Sequence, residues 1–350
     1  MMSFRNDRLV REPIPMSIVK LVGRVEEYKG KQQLYYQQSP QILESLRKVA
    51  IIQSTESSNR IEGIEIPHRQ LRAIVEDRVA PSNRSQGGVA GYRDVLATIH
   101  ASHLHIPVTP NTILQLHRDL YRYAAAEGGR WKTADNRIDW IMPDGTHVLR
   151  FSPLSAVQTP HAMDELCAAL RRHTDTEDAN RLLLIATFAL DFLCIHPFLD
   201  GNGRMARLLT LLLLYQSGYE VGRFVSIERV IEDSRDSYYD ALYESSQGWR
   251  EGIHSLMPWW EYFLGVMLAA YDEFESRVGM VTAGRGAKSS LVRQMVERTI
   301  GDFSMSELLR LCPGVSRPLV RQVLKQMREE GLVECMGLGV SARWRKTTPQ

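Results

Sequence analysis

The feature that most constrains this chain is a pair of apolar helical segments broken by a short polar loop. A helical pattern over 178–193 carries on to Ile195 and meets Pro197, whose ring fixes φ and removes a donor, so the helix cannot simply continue. A second helical pattern starts near Arg204 and runs to about Ser217. The loop between them is His196 to Gly203. Gly201 and Gly203 let backbone amides come close to an anion. The free N–H groups and positive dipole end of the following helix face the same loop, which makes it an anion site. Arg204 and Arg207 are three apart on one face of the first turn and can reach the same polyphosphate. Asp200 beside a phosphate is a natural magnesium ligand, since Mg²⁺ takes one or two carboxylates together with phosphate oxygens. His196 is a candidate general base, and Phe198 should point inward and pin the loop. Each of these residues alone is ordinary, but together they fall within twelve positions.

The rest of the chain reads as mainly α. Ser39-Pro40 opens a helix with apolar residues at Ile42, Leu43, Leu46, Val49, Ala50 and Ile52. The polar stretch 57–63 ends in glycine, and Ala80 to Gly88 reads as loop. Helices are expected from Val89 to about His103, from Thr109-Pro110 to Gly128-Gly129, over 154–173, near 234–246 and over 255–277. Residues 130–151, around Pro143-Asp144-Gly145, read as a short β-hairpin. Val281 to Gly286 reads as a linker. A length of 350 residues allows about two domains. With 44% hydrophobic and 24% charged residues, the composition is that of a soluble globular protein. The four cysteines form no close pair, so a disulfide framework or zinc site is not expected. The start of the chain carries charges where a signal peptide needs an apolar core, and the longest apolar run, Leu208 to Tyr215, is too short to span a bilayer. These features point to a cytoplasmic protein with no membrane partner.

Residues 196–207 (His-Pro-Phe-Leu-Asp-Gly-Asn-Gly-Arg-Met-Ala-Arg) resemble the Fic family motif His-Pro-Phe-x-(Asp/Glu)-Gly-Asn-Gly-Arg-x-x-Arg at every defined position. Many family members have Gly before the last arginine. Here it is Ala206, which a helix tolerates. The resemblance implies protein AMPylation: transfer of AMP from ATP to a Ser, Thr or Tyr hydroxyl of a target protein. It implies that His196 deprotonates that hydroxyl and that Asp200 holds Mg²⁺ on the α- and β-phosphates. Gly201, Asn202 and Gly203 would cradle phosphate oxygens, and Arg204 and Arg207 would bind the β- and γ-phosphates.

Ser58-Asn59-Arg60-Ile61-Glu62-Gly63 resembles the family's inhibitory motif (Ser/Thr)-x-x-x-Glu-(Gly/Asn), in the class whose inhibitory helix precedes the core. The resemblance implies that Glu62 pairs with Arg207 and keeps it from the γ-phosphate, a contest between carboxylate and phosphate for one guanidinium. The hairpin at 138–149 would be the flap that holds a target segment by main-chain pairing. Residues 129–136 resemble the run leading into that flap.

Residues 287–346 differ in charge and pattern. From Arg285 onward there are twelve Lys/Arg and six Asp/Glu, against a slight acidic excess in the remainder. A helix over 288–300, a capping box at Ser304 and Glu307, a turn at Pro313-Gly314, a third helix capped by Ser316 and a strand pair around Gly337-Leu338-Gly339 resemble a winged helix-turn-helix domain. Arg317, Arg321, Lys325 and Arg328 share the polar face of the third helix and would enter a DNA major groove, with Arg343, Arg345 and Lys346 near the wing meeting phosphate.

The expected organisation is thus an N-terminal helical region carrying the inhibitory motif (1–110), a Fic helical core with a β-hairpin flap (111–280) and a small winged helix-turn-helix domain (287–346). Two other readings remain at this level. One is removal of AMP from a modified protein, with Glu62 positioning water. The other is a nucleotide-sensing DNA-binding transcription regulator with little catalysis, against which the intact His196 argues. The sequence also leaves a homo-oligomer open.

Overall fold

A computed structural model describes residues 2–36, 40–124, 127–141, 146–282, 287–298, 302–312, 315–337 and 342–347. The expected turns at Pro143-Asp144-Gly145 and Pro313-Gly314, the Ser39 cap and residues 338–339 lie outside these.

A short α1 (Arg8–Arg11) leads into α2 (Met16–Tyr36), α3 (Pro40–Ile61), α4 (His68–Val75), α5 (Arg84–Ser102) and α6 (Pro110–Leu120). An antiparallel hairpin follows, β1 (Ile138–Ile141) and β2 (His147–Phe151), with a register shift between Ile138 and Asp139. Then come α7 (Thr159–Thr176), α8 (Arg181–Ile195), α9 (Asn202–Gln216), α10 (Ile227–Asp233), α11 (Arg235–Ser246) and α12 (Met257–Thr282). The C-terminal unit is α13 (Ala287–Arg298), β3 (Phe303–Ser304), α14 (Met305–Leu311), α15 (Arg317–Glu329), β4 (Val333–Met336) and β5 (Arg343–Lys346).

Local chemistry accounts for the helix starts. Thr109 accepts the Thr112 amide at 3.2 Å with Pro110 in the first turn, and Asn180 accepts the Leu182 amide at 3.0 Å. α8 is apolar around its circumference and is buried nearly all round, so it forms the axis of the body. α7 and α9 pack against it, α2 lies along α12, and α3 packs on α10. One hydrophobic core runs through these elements from Phe4 to Val278.

Several boundaries differ from expectation. α5 begins at Arg84, inside the stretch read as loop, with Asn83 as its cap. Gly87 and Gly91 are there for space: a Cβ at either would overlap the backbone carbonyl of Tyr123 or Leu120. α6 ends at Leu120, well before Gly128-Gly129, because the chain turns back and Gly129 N–H bonds His117 Nδ1 at 2.9 Å. α12 continues to Thr282, into the expected linker. α2 and the short α10 were not foreseen.

The C-terminal unit has its own core, including Val292, Val296, Phe303, Leu308, Val320, Leu324 and Val333. The capping box is present: Ser304 Oγ accepts the Glu307 amide at 3.2 Å and Glu307 accepts the Ser304 amide at 2.6 Å. Ser316 precedes α15 in an extended conformation, but its side chain makes no capping bond. Its three strands run β3-β5-β4, all antiparallel. Among the described residues, no helix is long and apolar enough to cross a membrane.

Candidate active site

The break between α8 and α9 is where the chemistry gathers. His196 closes α8 in the left-handed region, φ +53°, an uncommon conformation for a residue with a Cβ. Its ring Nδ1 lies 3.2 Å from the Leu193 carbonyl, which can only accept, so Nδ1 carries the proton and Nε2 is left as the acceptor. Burial brings its pKa down to about 4, so the imidazole is neutral near pH 7 and able to take a proton. Phe198 is fully buried, as foreseen, and its ring stacks on His117 at 3.6 Å.

Asp200 stays more than half exposed. One oxygen accepts the Gly201 amide at 2.7 Å; the other stands 3.5 Å from Arg84 and 3.9 Å from Arg204. Burial pushes its carboxyl up, but Tyr121, Arg204, Gly201 and Arg84 outweigh that and hold it below the ordinary value. Gly201 caps α9 at φ +81°, a conformation that suits glycine. The Asn202 side chain, expected to cradle phosphate, bonds both main-chain groups of Phe198 at 2.8 and 2.7 Å. It braces the loop.

Both motif arginines are buried. Arg204 bonds the Tyr121 hydroxyl at 2.9 Å and lies over that ring. Arg207 Nε donates to Ser58 Oγ, and its Nη2 donates to the Ser58 carbonyl and to Glu62, each at 2.8 Å. Burial would lower the Arg207 pKa, but Glu62 overrides it and holds the guanidinium well above its ordinary value. Glu62 is delivered by the end of α3. Gly63, at φ +75°, and Ile64 return their amides to the carbonyls of Arg60 and Asn59 at 2.9 Å, the two bonds of a Schellman stop. Arg235 and Tyr239 of α11 reach the Ile61 carbonyl from the side, at 3.2 and 3.4 Å. A Cβ on Gly203 would overlap the Glu62 carboxylate. The Glu62 carboxylate therefore rests against the glycine turn, on the Arg207 guanidinium.

Other supports were not read as functional. His117 bonds the Asp200 carbonyl at 3.1 Å and accepts from Gly129, and burial keeps it neutral with a pKa of about 4. Lys132, buried, donates to the Ile195 carbonyl at 3.0 Å and to Asn136, whose amide bonds the Phe198 carbonyl. The run 129–136 could have pointed to these two. Nothing in sequence links His117 to a loop eighty residues away. A cleft of about 360 Å³ opens beside the loop, lined by Glu62, His196 and Gly203 and by Ile138, Phe151, Tyr239 and Leu242. Residues of the hairpin thus share one cleft with His196.

In the C-terminal unit Arg317, Arg321, Lys325 and Arg328 are exposed, opposite the buried Val320, Val323, Leu324 and Met327. The three basic residues expected to meet phosphate from the wing are already engaged. Arg345 forms a two-pronged ion pair with Asp302 at 2.7 and 2.9 Å, Arg343 bonds the Asp302 carbonyl at 2.6 Å, and Lys346 bonds the Glu297 carbonyl at 2.9 Å.

Comparison with known proteins agrees with this geometry. The chain is 26% identical over 271 residues to the protein adenylyltransferase Fic of Drosophila yakuba, covering 75% of this chain and 51% of that protein. It is 31% identical over 196 residues to the protein adenylyltransferase fic-1 of Caenorhabditis elegans, covering 54% of this chain and 35% of that one. The chain spans about half the length of the Drosophila relatives it matches. Its fold is similar to that of a Fic family protein from Desulfovibrio desulfuricans, with a TM-score of 0.62 and 23% identity over 97% of this chain and 98% of that one. Residues 107–214, which hold the base, the glycine turn and both arginines, match the Fic/DOC family model, and the chain thus carries a Fic/DOC family domain.

Proposed function

We propose that this protein is an adenylyltransferase that moves AMP from ATP onto a hydroxyl side chain of a target protein and is held in check by Glu62. The observation that carries this reading is the Glu62–Arg207 ion pair lying over Gly203. A carboxylate bound to a glycine-rich turn at a helix N-terminus stands in for the anion that the turn is built to hold. The names of the curated relatives support the same activity.

In this mechanism Nε2 of His196 takes the proton of the target hydroxyl as its oxygen attacks the α-phosphorus in line. The new O–P bond forms as the bond to the β-phosphate oxygen breaks, and pyrophosphate leaves. The loop amides, Arg204 and Arg207 meet the negative charge, so catalysis is mostly positioning and neutralisation. Asp200 fits a magnesium ion: it is exposed at the rim of the turn, with one oxygen directed away from the loop amides. Bound there with phosphate oxygens and water, the ion would offset charge on the leaving pyrophosphate. Transfer of labelled AMP should be weak in the native protein, rise at least tenfold in Glu62→Gly and vanish in Glu62→Gly/His196→Ala. A Glu62→Gly protein that transfers nothing from ATP to itself or to any lysate protein would end this reading.

Glu62 and His196 line one cleft, which favours AMP removal as the second reading. There the Glu62→Gly substitution abolishes release of AMP from a modified protein instead of raising transfer.

For residues 287–346 the reading is a winged helix-turn-helix unit that binds DNA through Arg317, Arg321, Lys325 and Arg328 on the open face of α15. Replacing Arg321 and Arg328 with Ala in the full chain should weaken DNA binding and flatten its salt dependence by about one unit of log–log slope per lost phosphate contact. Equal affinity and slope in the double variant would remove α15 from the interface.

A further inference from the structure

Arg207 is 5% exposed, and its charge needs a partner at all times. In the resting protein that partner is Glu62, whose side chain is 31% exposed at the end of α3 and must leave for a phosphate to bind. What then remains in direct contact is Ser58, a neutral group, while Arg207 Nη1 is buried with no hydrogen-bond partner among the described residues. Breaking a buried pair by removing one side is strongly destabilising, because it leaves an uncompensated charge. A second carboxylate lies behind the arginine.

Glu228, in the first turn of α10, is 1% exposed. It accepts the Tyr92 hydroxyl at 2.8 Å and the Ser226 hydroxyl at 3.2 Å. Tyr92 is wholly buried on α5, and its phenol lies beside both the Ser58 hydroxyl and the Arg207 guanidinium. Glu228, Tyr92, Ser58 and Arg207 thus form a buried polar series that starts at a carboxylate and ends at the guanidinium. Arg207 also lines a cavity of about 40 Å³ with walls such as Ala189, Leu211, Trp259 and Phe263, and Glu228 is the one acid among its lining residues. In so apolar a setting charges act over longer distances than in water.

We infer that Glu228 is the permanent counter-charge of Arg207, a positioning residue that keeps the guanidinium charged and aimed at the glycine turn once Glu62 has withdrawn. Two carboxylates share one arginine, one removable and one fixed. The inference rests on the nucleotide reading of the loop, and it explains how an arginine sealed in the core can exchange a carboxylate for a phosphate without losing its place.

The experiment uses the full chain with Glu62→Gly, Glu228→Gln, their combination, and Glu228→Asp as the conservative variant. Two readouts are taken: thermal stability without nucleotide, and binding of ATP and of AMP by calorimetry. Either carboxylate alone should keep the arginine paired, so each single variant loses little Tm and the double variant loses more than the sum. In the Glu62→Gly background, Glu228→Gln should weaken ATP about tenfold and leave AMP unchanged, because only the triphosphate reaches Arg207. Glu228→Asp should recover part of that loss. Additive Tm losses overturn the inference, and so does equal weakening of ATP and AMP, which is what a purely structural Glu228 would give. If Glu62→Gly binds no ATP, the nucleotide reading fails, while the Tm cycle still decides the counter-charge.

Discussion

Asn202 bonds the amide and the carbonyl of the same residue, Phe198, and so closes the loop into a ring before any ligand arrives. The neighbouring side chains work the same way. His117 holds the Asp200 carbonyl, Asn136 holds that of Phe198, and Lys132 holds that of Ile195. Burial brings the Lys132 pKa down to about 8, which keeps the ammonium mostly charged near neutral pH as it donates to two partners. These bonds take up the carbonyls on the protein side of the loop and fix its shape. The loop side chains therefore divide in two groups. Asn202 and Phe198 face the protein and fix the shape. His196 lines the cleft and Asp200 is exposed, while Arg204 bonds Tyr121 and Arg207 bonds Glu62.

At the scale of elements, the site depends on how closely α5 approaches α6, since α5 carries Tyr92, α6 carries His117 and Tyr121 directly follows it. Gly91 permits that approach: a methyl there would overlap the Leu120 carbonyl, which is backbone and cannot swing away. Gly91→Ala should therefore destabilise the protein by about 3 kcal/mol or more, as overpacking does. Gly23, on the exposed side of α2, has nothing within 4 Å of an added Cβ and no positive φ, so Gly23→Ala should stabilise by about 0.4–1 kcal/mol. Denaturant melts of both variants check the pair, and equal effects would mean that the α5–α6 distance is not set by Gly91. The same glycines show where sequence reading stops. Gly87-Gly88 next to Ser and Asn looks like a loop, because a single chain cannot reveal that another helix lies where the side chain would be. The α8–loop–α9 break was legible down to its residues, since Pro197 and the glycines dictate local geometry. The capping box at Ser304 was legible for the same reason. The ends of α6 and α12 were not, because packing overrode the local signals. Nor were His117 and Glu228, whose roles come from contacts across long sequence separations.

Over the whole molecule, the ten histidines all lie between His68 and His254, and none belongs to the C-terminal unit. Four are neutral near pH 7 in the folded protein: His100 with a pKa of about 3, and His117, His196 and His254 near 4, burial being the main cause for each. In the unfolded chain each takes up a proton near pH 6.5. Between pH 6.5 and about 4 the unfolded chain therefore binds more protons, and stability falls as pH falls. Their contribution is fully present above pH 6.5, and the loss levels off below about pH 4, where both states are protonated. Asp191 and Asp233, whose carboxyls are pushed up by burial, work in the opposite sense. All four shifts act in the same direction, so mild acid should lower the stability of the body. The C-terminal unit has a separate core and no histidine. Calorimetric scans at pH 7.5, 6.5 and 5.5 should show the main transition moving down by roughly 10 °C or more while the transition of the small unit moves much less. Equal shifts of both, or a main transition unmoved at pH 5.5, would show that these four imidazoles are charged or wet in the folded protein, and His196 would then lose its standing as a neutral base.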